Sequence, residues 1–188
     1  MNLPVTSNMQ SAQVNRPYHI RPMQEQDIEP VLSIDRVSFS LPWPASAYHY
    51  EIKENPRSLL WVAEAIGGES PSRVIGMIVV WMILDEAHIA TIAVHPDFRG
   101  RGIAKSMLIV ALREAIHQRA TQATLEVRAS NLAAQNLYLQ FQFHIVGQRP
   151  RYYRDNNEDA LIMTANNLGK RYLEWLDQGG WKSKSQEV

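Results

Sequence analysis

The chain has 188 residues, 45% of them hydrophobic, which is enough for one domain with a core and too few for two. Lysine plus arginine balance aspartate plus glutamate at 19 each, so no global charge marks the protein for nucleic acid or for an anionic membrane. Cysteine is absent, which excludes disulfides, thiolate metal sites and a cysteinyl acyl intermediate.

Residues 1–16 are rich in Asn, Gln and Ser without periodicity and read as a disordered leader, followed by one domain over 17–165 and a tail over 166–188. Tyr18 to Arg21 alternates as a short strand. Ile28, Val31, Leu32, Asp35 and Phe39 then recur at helical spacing, with Pro30 tolerable near the helix start and a stop required before Pro42. Leu41-Pro-Trp-Pro44 cannot be helical, because each proline drives the residue before it into extended geometry, and Ala45 to Lys53 offers a second helix. Leu59 to Ala65 and Val74 to Ile83 are rich in β-formers and bracket Gly67-Gly68 and Pro71, a hairpin pattern. The longest apolar run, Val74 to Leu84, is too short for a crossing of about 20 residues, and the N-terminus lacks a signal-peptide pattern. A soluble, cytoplasmic protein with no membrane partner is the expectation.

Ala87 to Val94 reads as the next strand. From Gly102 to Ala120, Ile103, Met107, Leu108, Ala111, Leu112, Ala115 and Ile116 form one apolar stripe, with Lys105, Arg113 and Gln118 outside it. A strand at Ala123 to Val127, a helix at Leu132 to Phe141 and strands at His144 to Gly147 and Ala160 to Thr164 follow, while Tyr172, Leu173, Trp175 and Leu176 suit a short docked helix in the tail. The order βααβββαβαββ predicts an α/β sandwich with helices on both faces of a sheet.

The charge balance hides an asymmetry. Between Arg99 and Arg154 nine basic residues stand against Glu114 and Glu126, a local excess that suits a compact polyphosphate better than a long polyanion and that a solvated helix face also explains. Within it, Arg99-Gly-Arg-Gly-Ile-Ala104 joins a strand to the start of the long helix. Free backbone N–H groups and a positive dipole end make that start an anion site, and Gly100 and Gly102 would let a pyrophosphate approach; glycines before a helix also occur as plain loop residues. The spacing matches neither the Walker loop nor the dinucleotide-binding fingerprint.

Leu125-Glu-Val-Arg-Ala-Ser-Asn131 sets a carboxylate in an apolar strand and ends on a residue suited to cap the next helix, where Tyr138 follows on the same face as Asn131. Glu126 reads either as a proton acceptor or as one end of a salt bridge to Arg128 or Arg151. Tyr138 reads either as a proton donor or as a core aromatic with its hydroxyl satisfied.

Ile92-Ala-Val-His-Pro-Asp-Phe-Arg-Gly-Arg-Gly-Ile-Ala104 resembles the acetyl-CoA signature of the GNAT N-acetyltransferase superfamily, with Arg99, Gly102 and Ala104 in its three defining positions. The resemblance implies the GNAT fold: a mixed, mostly antiparallel sheet of six to seven strands, about four helices on both faces, and central strands that splay. It also implies acetyl-CoA as co-substrate without a metal. The amides of Arg101 to Lys105, in the loop Arg99, Gly100, Arg101, Gly102, Ile103, Ala104 and Lys105, would bind its pyrophosphate, and Ile92, Ala93 and Val94 would run along its pantetheine arm while also serving as strand core.

Leu-Glu-Val-Arg-x-Ser-Asn with Ala134 and Leu137-Tyr138 resembles the N-terminal acetyltransferase branch, especially the bacterial RimI type that acetylates the N-terminal alanine of a ribosomal protein. By that resemblance Glu126 is the general base, Tyr138 the general acid and Asn131 a cofactor contact. Arg151-Tyr-Tyr-Arg-Asp-Asn-Asn-Glu-Asp-Ala-Leu-Ile-Met163 resembles the same branch, which implies that Tyr152 and Tyr153 hold a peptide backbone. Leu41-Pro-Trp43 resembles its loop between the first two helices, so that Phe39, Leu41 and Trp43 would line the peptide groove or plug the loop. One departure stands out: Phe141-Gln142-Phe143 replaces the family's Leu-Gly-Phe, which predicts a different or strained helix cap. The partner implied is the N-terminal peptide of a protein, with no direct nucleic-acid binding. A GNAT acting on a small amine or a lysine, a silent acetyl-CoA-binding module and an RNA-binding protein are the other classes open to this sequence.

Overall fold

The computed structural model describes residues 17–66 and 73–182, so the expected leader and the Gly67-Gly68 and Pro71 turn lie outside the described residues. In chain order the elements are β1 (Tyr18–Pro22), α1 (Ile28–Ser38), α2 (Ala45–Lys53), β2 (Ser58–Ala65), β3 (Val74–Ile83), β4 (Glu86–Val94), α3 (Ile103–His117), β5 (Gln122–Arg128), α4 (Leu132–Leu139), β6 (His144–Tyr153), β7 (Glu158–Asn166) and α5 (Lys170–Asp177). One seven-stranded sheet in the order β1-β2-β3-β4-β5-β7-β6 carries them, and every pairing is antiparallel except β4 with β5. The mixed, mostly antiparallel sheet with helices on both faces is as expected, with five α-helices among the described residues where about four were predicted.

The apolar run of β3 is long because helices cover both of its faces. Met77 and Val79 pack with Val31, Leu32, Ile34 and Tyr48 of α1 and α2, while Ile75, Ile78 and Val80 pack with Met107, Leu108 and Leu112 of α3. A shift in the β2–β3 register beside Glu64 changes which parity faces which layer. Gly76 sits in tight packing: a Cβ there would stand 3.0 Å from the Met107 side chain and 3.2 Å from the Ala93 carbonyl. Beneath β1, the buried carboxylates of Asp27 and Glu64 are both met by Arg21, at 2.6 and 2.7 Å. A pairing of this kind is what keeps two carboxylates tolerable out of water.

Two helix ends differ from expectation for one reason. α3 stops at His117 rather than Ala120, and α4 at Leu139 rather than Phe141. At both ends a residue enters the left-handed region, Arg119 at φ 70° and Gln142 at φ 62°. Each is followed by the Schellman pattern, with Ala120 N–H donating to Ala115 O and Phe143 N–H to Tyr138 O. The cap at Gln142 is therefore the one a glycine would make, held by a residue that is strained there. β6 runs on to Tyr153 past Pro150, which an edge strand tolerates, and its pairing with β7 is irregular between Arg149 and Tyr153.

Candidate active site

The site begins where the sheet opens. β4 and β5 pair only from Glu86↔Gln122 to His88↔Thr124, after which Ile89 to Val94 leave β5 and the strands diverge. An irregularity in β4, opposite Val79 and Val80, lies just beyond the last pair. His95 N–H donates to Ile75 O of β3. By strand alternation the N–H groups of Val94 and Ile92 therefore turn toward the fork. A cleft of about 760 Å³ fills the fork, and Ile92, Ala93 and Val94 form one wall.

At one end of the cleft lies the glycine loop. Gly100 and Gly102 both adopt φ 76°, where a side chain is strained, and open space surrounds the position of each missing Cβ. Gly102 caps α3, and the first helical bond is Ser106 N–H to Gly102 O. The amides of Ile103, Ala104 and Lys105 are thus without intrahelical partners and stand on the cleft wall. Donors of this kind beside two open glycine positions fit a pyrophosphate. Arg99 lines the cleft but is engaged, with Nε donating to Val94 O at 3.0 Å and Nη2 to Ser38 Oγ at 3.3 Å, so its side chain braces the loop. Arg101 alone among the predicted loop residues is off the wall: its guanidinium turns back to Asp97 O at 2.9 Å and lies over the Phe98 ring.

Glu126, Asn131 and Tyr138 all line the cleft. Asn131 caps α4 by accepting from Ala134 N–H at 3.1 Å. Tyr138 is 5% exposed, and burial pushes its hydroxyl well above the usual phenol range. Glu126 is paired with neither Arg128 nor Arg151. Its partners are Arg149, with Nη2 at 3.1 Å from Oε1, and His88, with Nε2 at 3.3 Å from Oε2. Arg128 is taken up instead by Asp155 and Glu158.

The far end is walled by side chains. Phe39, Leu41 and Trp43 stand on one side, with Tyr152 and Tyr153 of the β6–β7 hairpin completing the lining. Trp43 stacks on Trp81 at 5.8 Å, and Trp81 stacks on His88 at 5.7 Å. Buried Asp35 anchors this loop by accepting from Trp43 N–H at 2.7 Å, and burial raises its carboxyl pKa. The two sides are joined directly: Ser40 Oγ donates to Asp155 Oδ2 at 2.5 Å, and Arg128 reaches Ser40, Asp155 and Glu158 while covering the Tyr153 ring. Ser40 and Arg128 hold the Asp155 carboxyl below its ordinary range. Sequence reasoning missed His88, Trp81, Arg149 and Ser40. Only His88 had a local signal, an ionisable residue inside a mostly apolar strand.

Residues 28–143 match the family described as Acetyltransferase (GNAT) family. A Bacillus subtilis (strain 168) relative, provisionally named a ribosomal protein bS18 alanine N-acetyltransferase, is 36% identical over 144 residues, covering 77% of this chain and 92% of its own. The ribosomal protein bS18 alanine N-acetyltransferase of Salmonella typhimurium is 30% identical over 139 residues, covering 73% and 89%. Among solved structures, the ribosomal-protein alanine N-acetyltransferase of Escherichia coli superposes with a TM-score of 0.69 at 27% identity, over 80% of this chain and 94% of that one.

Proposed function

The chain belongs to the GNAT acetyltransferase family and is an acetyltransferase; from that premise we propose that it transfers acetyl from acetyl-CoA to the α-amino group of a protein N-terminus, with the N-terminal alanine of a ribosomal protein as the leading substrate. The observation that carries this reading is that a carboxylate and a phenol, Glu126 and Tyr138, line one cleft between a glycine loop and an aromatic-walled opening. The named relatives, at 36% and 30% identity, support the substrate class.

Gly100, Gly102 and the amides of Ile103 to Lys105 would hold the pyrophosphate, and Ile92 to Val94 the pantetheine arm. Bound there, acetyl-CoA supplies an activated acetyl thioester. An α-amine titrates near ~8, so Glu126 need remove only one proton for the nitrogen to attack. The N–H groups of Val94 and Ile92 turn to the fork and are the available donors for negative charge building on the acyl oxygen. Tyr138, kept protonated by burial, gives its proton to the departing sulfur. Phe39, Leu41, Trp43, Tyr152 and Tyr153 would guide the first residues of the acceptor.

A panel of peptides differing in the first residue, each carrying an internal lysine, tests the assignment by mass spectrometry. We expect acetyl on the α-amine, with alanine-first peptides foremost. Modification confined to lysine ε-amines overturns the substrate class, and a calorimetric titration without heat of binding for coenzyme A overturns the cofactor site.

A further inference from the structure

Lys105 is placed against the field of its own helix. It stands in the first turn of α3, where the dipole end is positive and a carboxylate would be favoured, yet that turn holds no acidic residue. Its backbone N–H is one of the free donors on the cleft wall, and its ammonium lies over the indole of Trp181, 5.7 Å from the ring centroid. The same ring carries the ammonium of Lys182 at 5.3 Å. Among the described residues neither ammonium is paired with a carboxylate, and the acid that α5 brings to α3, Asp177, is taken by Arg113. Two positive charges gathered on one ring, beside a positive helix end, make a site for an anion.

The chain beyond residues 28–143, the stretch that matches the family, is built to bring Trp181 there. α5 is docked by buried Tyr172, whose hydroxyl donates to Phe141 O at 2.6 Å. Gly179, at φ 73°, turns the chain after α5, and Gly180 crosses Trp175 so closely that a Cβ would stand 2.0 Å from its Nε1. Trp181 then stacks on Phe141, with centroids 6.0 Å apart and planes 12° from parallel. Phe141 follows α4, four positions after Leu137, which lines the same cleft as Lys105. One indole therefore touches the start of α3 and the end of α4.

We propose that the C-terminal segment extends the cofactor cleft, with Trp181 as a positioning residue that gathers Lys105 and Lys182 into a site for a phosphomonoester, the 3′-phosphate on the ribose of coenzyme A. The proposal rests on the cofactor site put forward above. Coenzyme A carries this phosphate in addition to its pyrophosphate. The amides of Ile103 to Lys105 and the two open glycine positions fit the pyrophosphate, and they leave the further phosphate to side chains. An ammonium is a compact charge with rotatable donors on a long stem, which suits a phosphate at the wet end of a ligand better than a rigid fork would. Lys105 serves both groups, the pyrophosphate through its N–H and the monoester through Nζ.

The test is a calorimetric titration of the full chain with coenzyme A and with 3′-dephospho-coenzyme A. We expect the wild type to bind coenzyme A about tenfold more tightly than the dephospho form, at the low end for hydrogen bonds to charged groups, and added salt to shrink that ratio. Trp181→Leu should bring the ratio close to one and Lys182→Met should lower it severalfold, each with the affinity for the dephospho form unchanged. That second affinity is what a merely structural loss would move, and Lys182, which is exposed, can be changed without disturbing the packing on Phe141. Equal affinities for the two ligands in the wild type, or a wild-type ratio that survives in both variants, overturn the phosphomonoester site alone. No heat with either ligand overturns the cofactor site itself and this extension with it.

Discussion

The two ends of the cleft are built on different principles. The donor end is one contiguous stretch, Arg99 to Lys105, whose working parts are backbone amides and two glycines at φ 76°. The acceptor end is assembled from side chains of α1, the loop after it, β3, β4, β5 and the β6–β7 hairpin, tied by Ser40, Asp155 and Arg128. Main-chain donors recognise what every phosphorylated carrier shares, and they do so without regard to the residues that follow. Side chains gathered from six elements can change one at a time, so on the proposed function cofactor recognition falls to the first region and acceptor choice to the second.

Substitutions should separate the two ends, and the largest effect is expected at their junction. Glu126→Gln should lower kcat by about 10²–10⁴ while coenzyme A affinity measured by calorimetry holds, as loss of general base catalysis alone would do. At the donor end, Gly102→Ala places a side chain where φ is 76° and should weaken coenzyme A about tenfold, since the left-handed conformation costs an alanine about 1–2 kcal/mol or else the loop must move. The KM for the acceptor peptide should stay near wild type in that variant; a parallel rise would erase the distinction between the ends.

The acceptor end should break more gently. Ser40→Ala cuts the bond to Asp155 and should raise the acceptor KM severalfold with coenzyme A affinity intact, because the joined groups are partly solvated. The same hairpin supplies a pH test. Glu158 is held down to about 2 by the hydroxyl and N–H of Ser130 and by Arg128. A depressed carboxyl stabilises the folded state above its unfolded pKa, and that contribution disappears as pH falls through the folded value. The stability difference between wild type and Glu158→Gln, followed by denaturant melts, should therefore be constant above about pH 5 and vanish toward pH 2. The smallest effect is expected away from both ends: Gln142→Gly should stabilise the chain by about 0.5–1 kcal/mol by relieving a left-handed residue.

What was readable from residues follows the same division. The loop of Arg99 to Ala104, the stripe of α3 and the motif that carries Glu126 and Tyr138 are local: all of the loop but Arg101 lines the cleft together with Glu126 and Tyr138, and the stripe packs into the core. Caps were less readable, because α3 and α4 close on Arg119 and Gln142 where glycine is the usual signal. β6 outruns its expected end at Gly147 because it lies at the sheet edge, where Pro150 is tolerated.

Sequence alone determined the order of elements, the glycine loop at a helix start and the motif that carries the two side chains proposed to handle protons, all of which depend on neighbours within a few residues or on a motif that spans them. Tertiary structure decided that Glu126 is held by Arg149 and His88 rather than by Arg128 or Arg151, and that Ser40 meets Asp155 across the opening. The physical reason is register. Contacts 23 and 38 positions apart arise only when strands pair in one particular alignment, and a shift of one residue would turn those side chains to the opposite face of the sheet, while the contact 115 positions apart needs the loop after α1 to reach the β6–β7 turn.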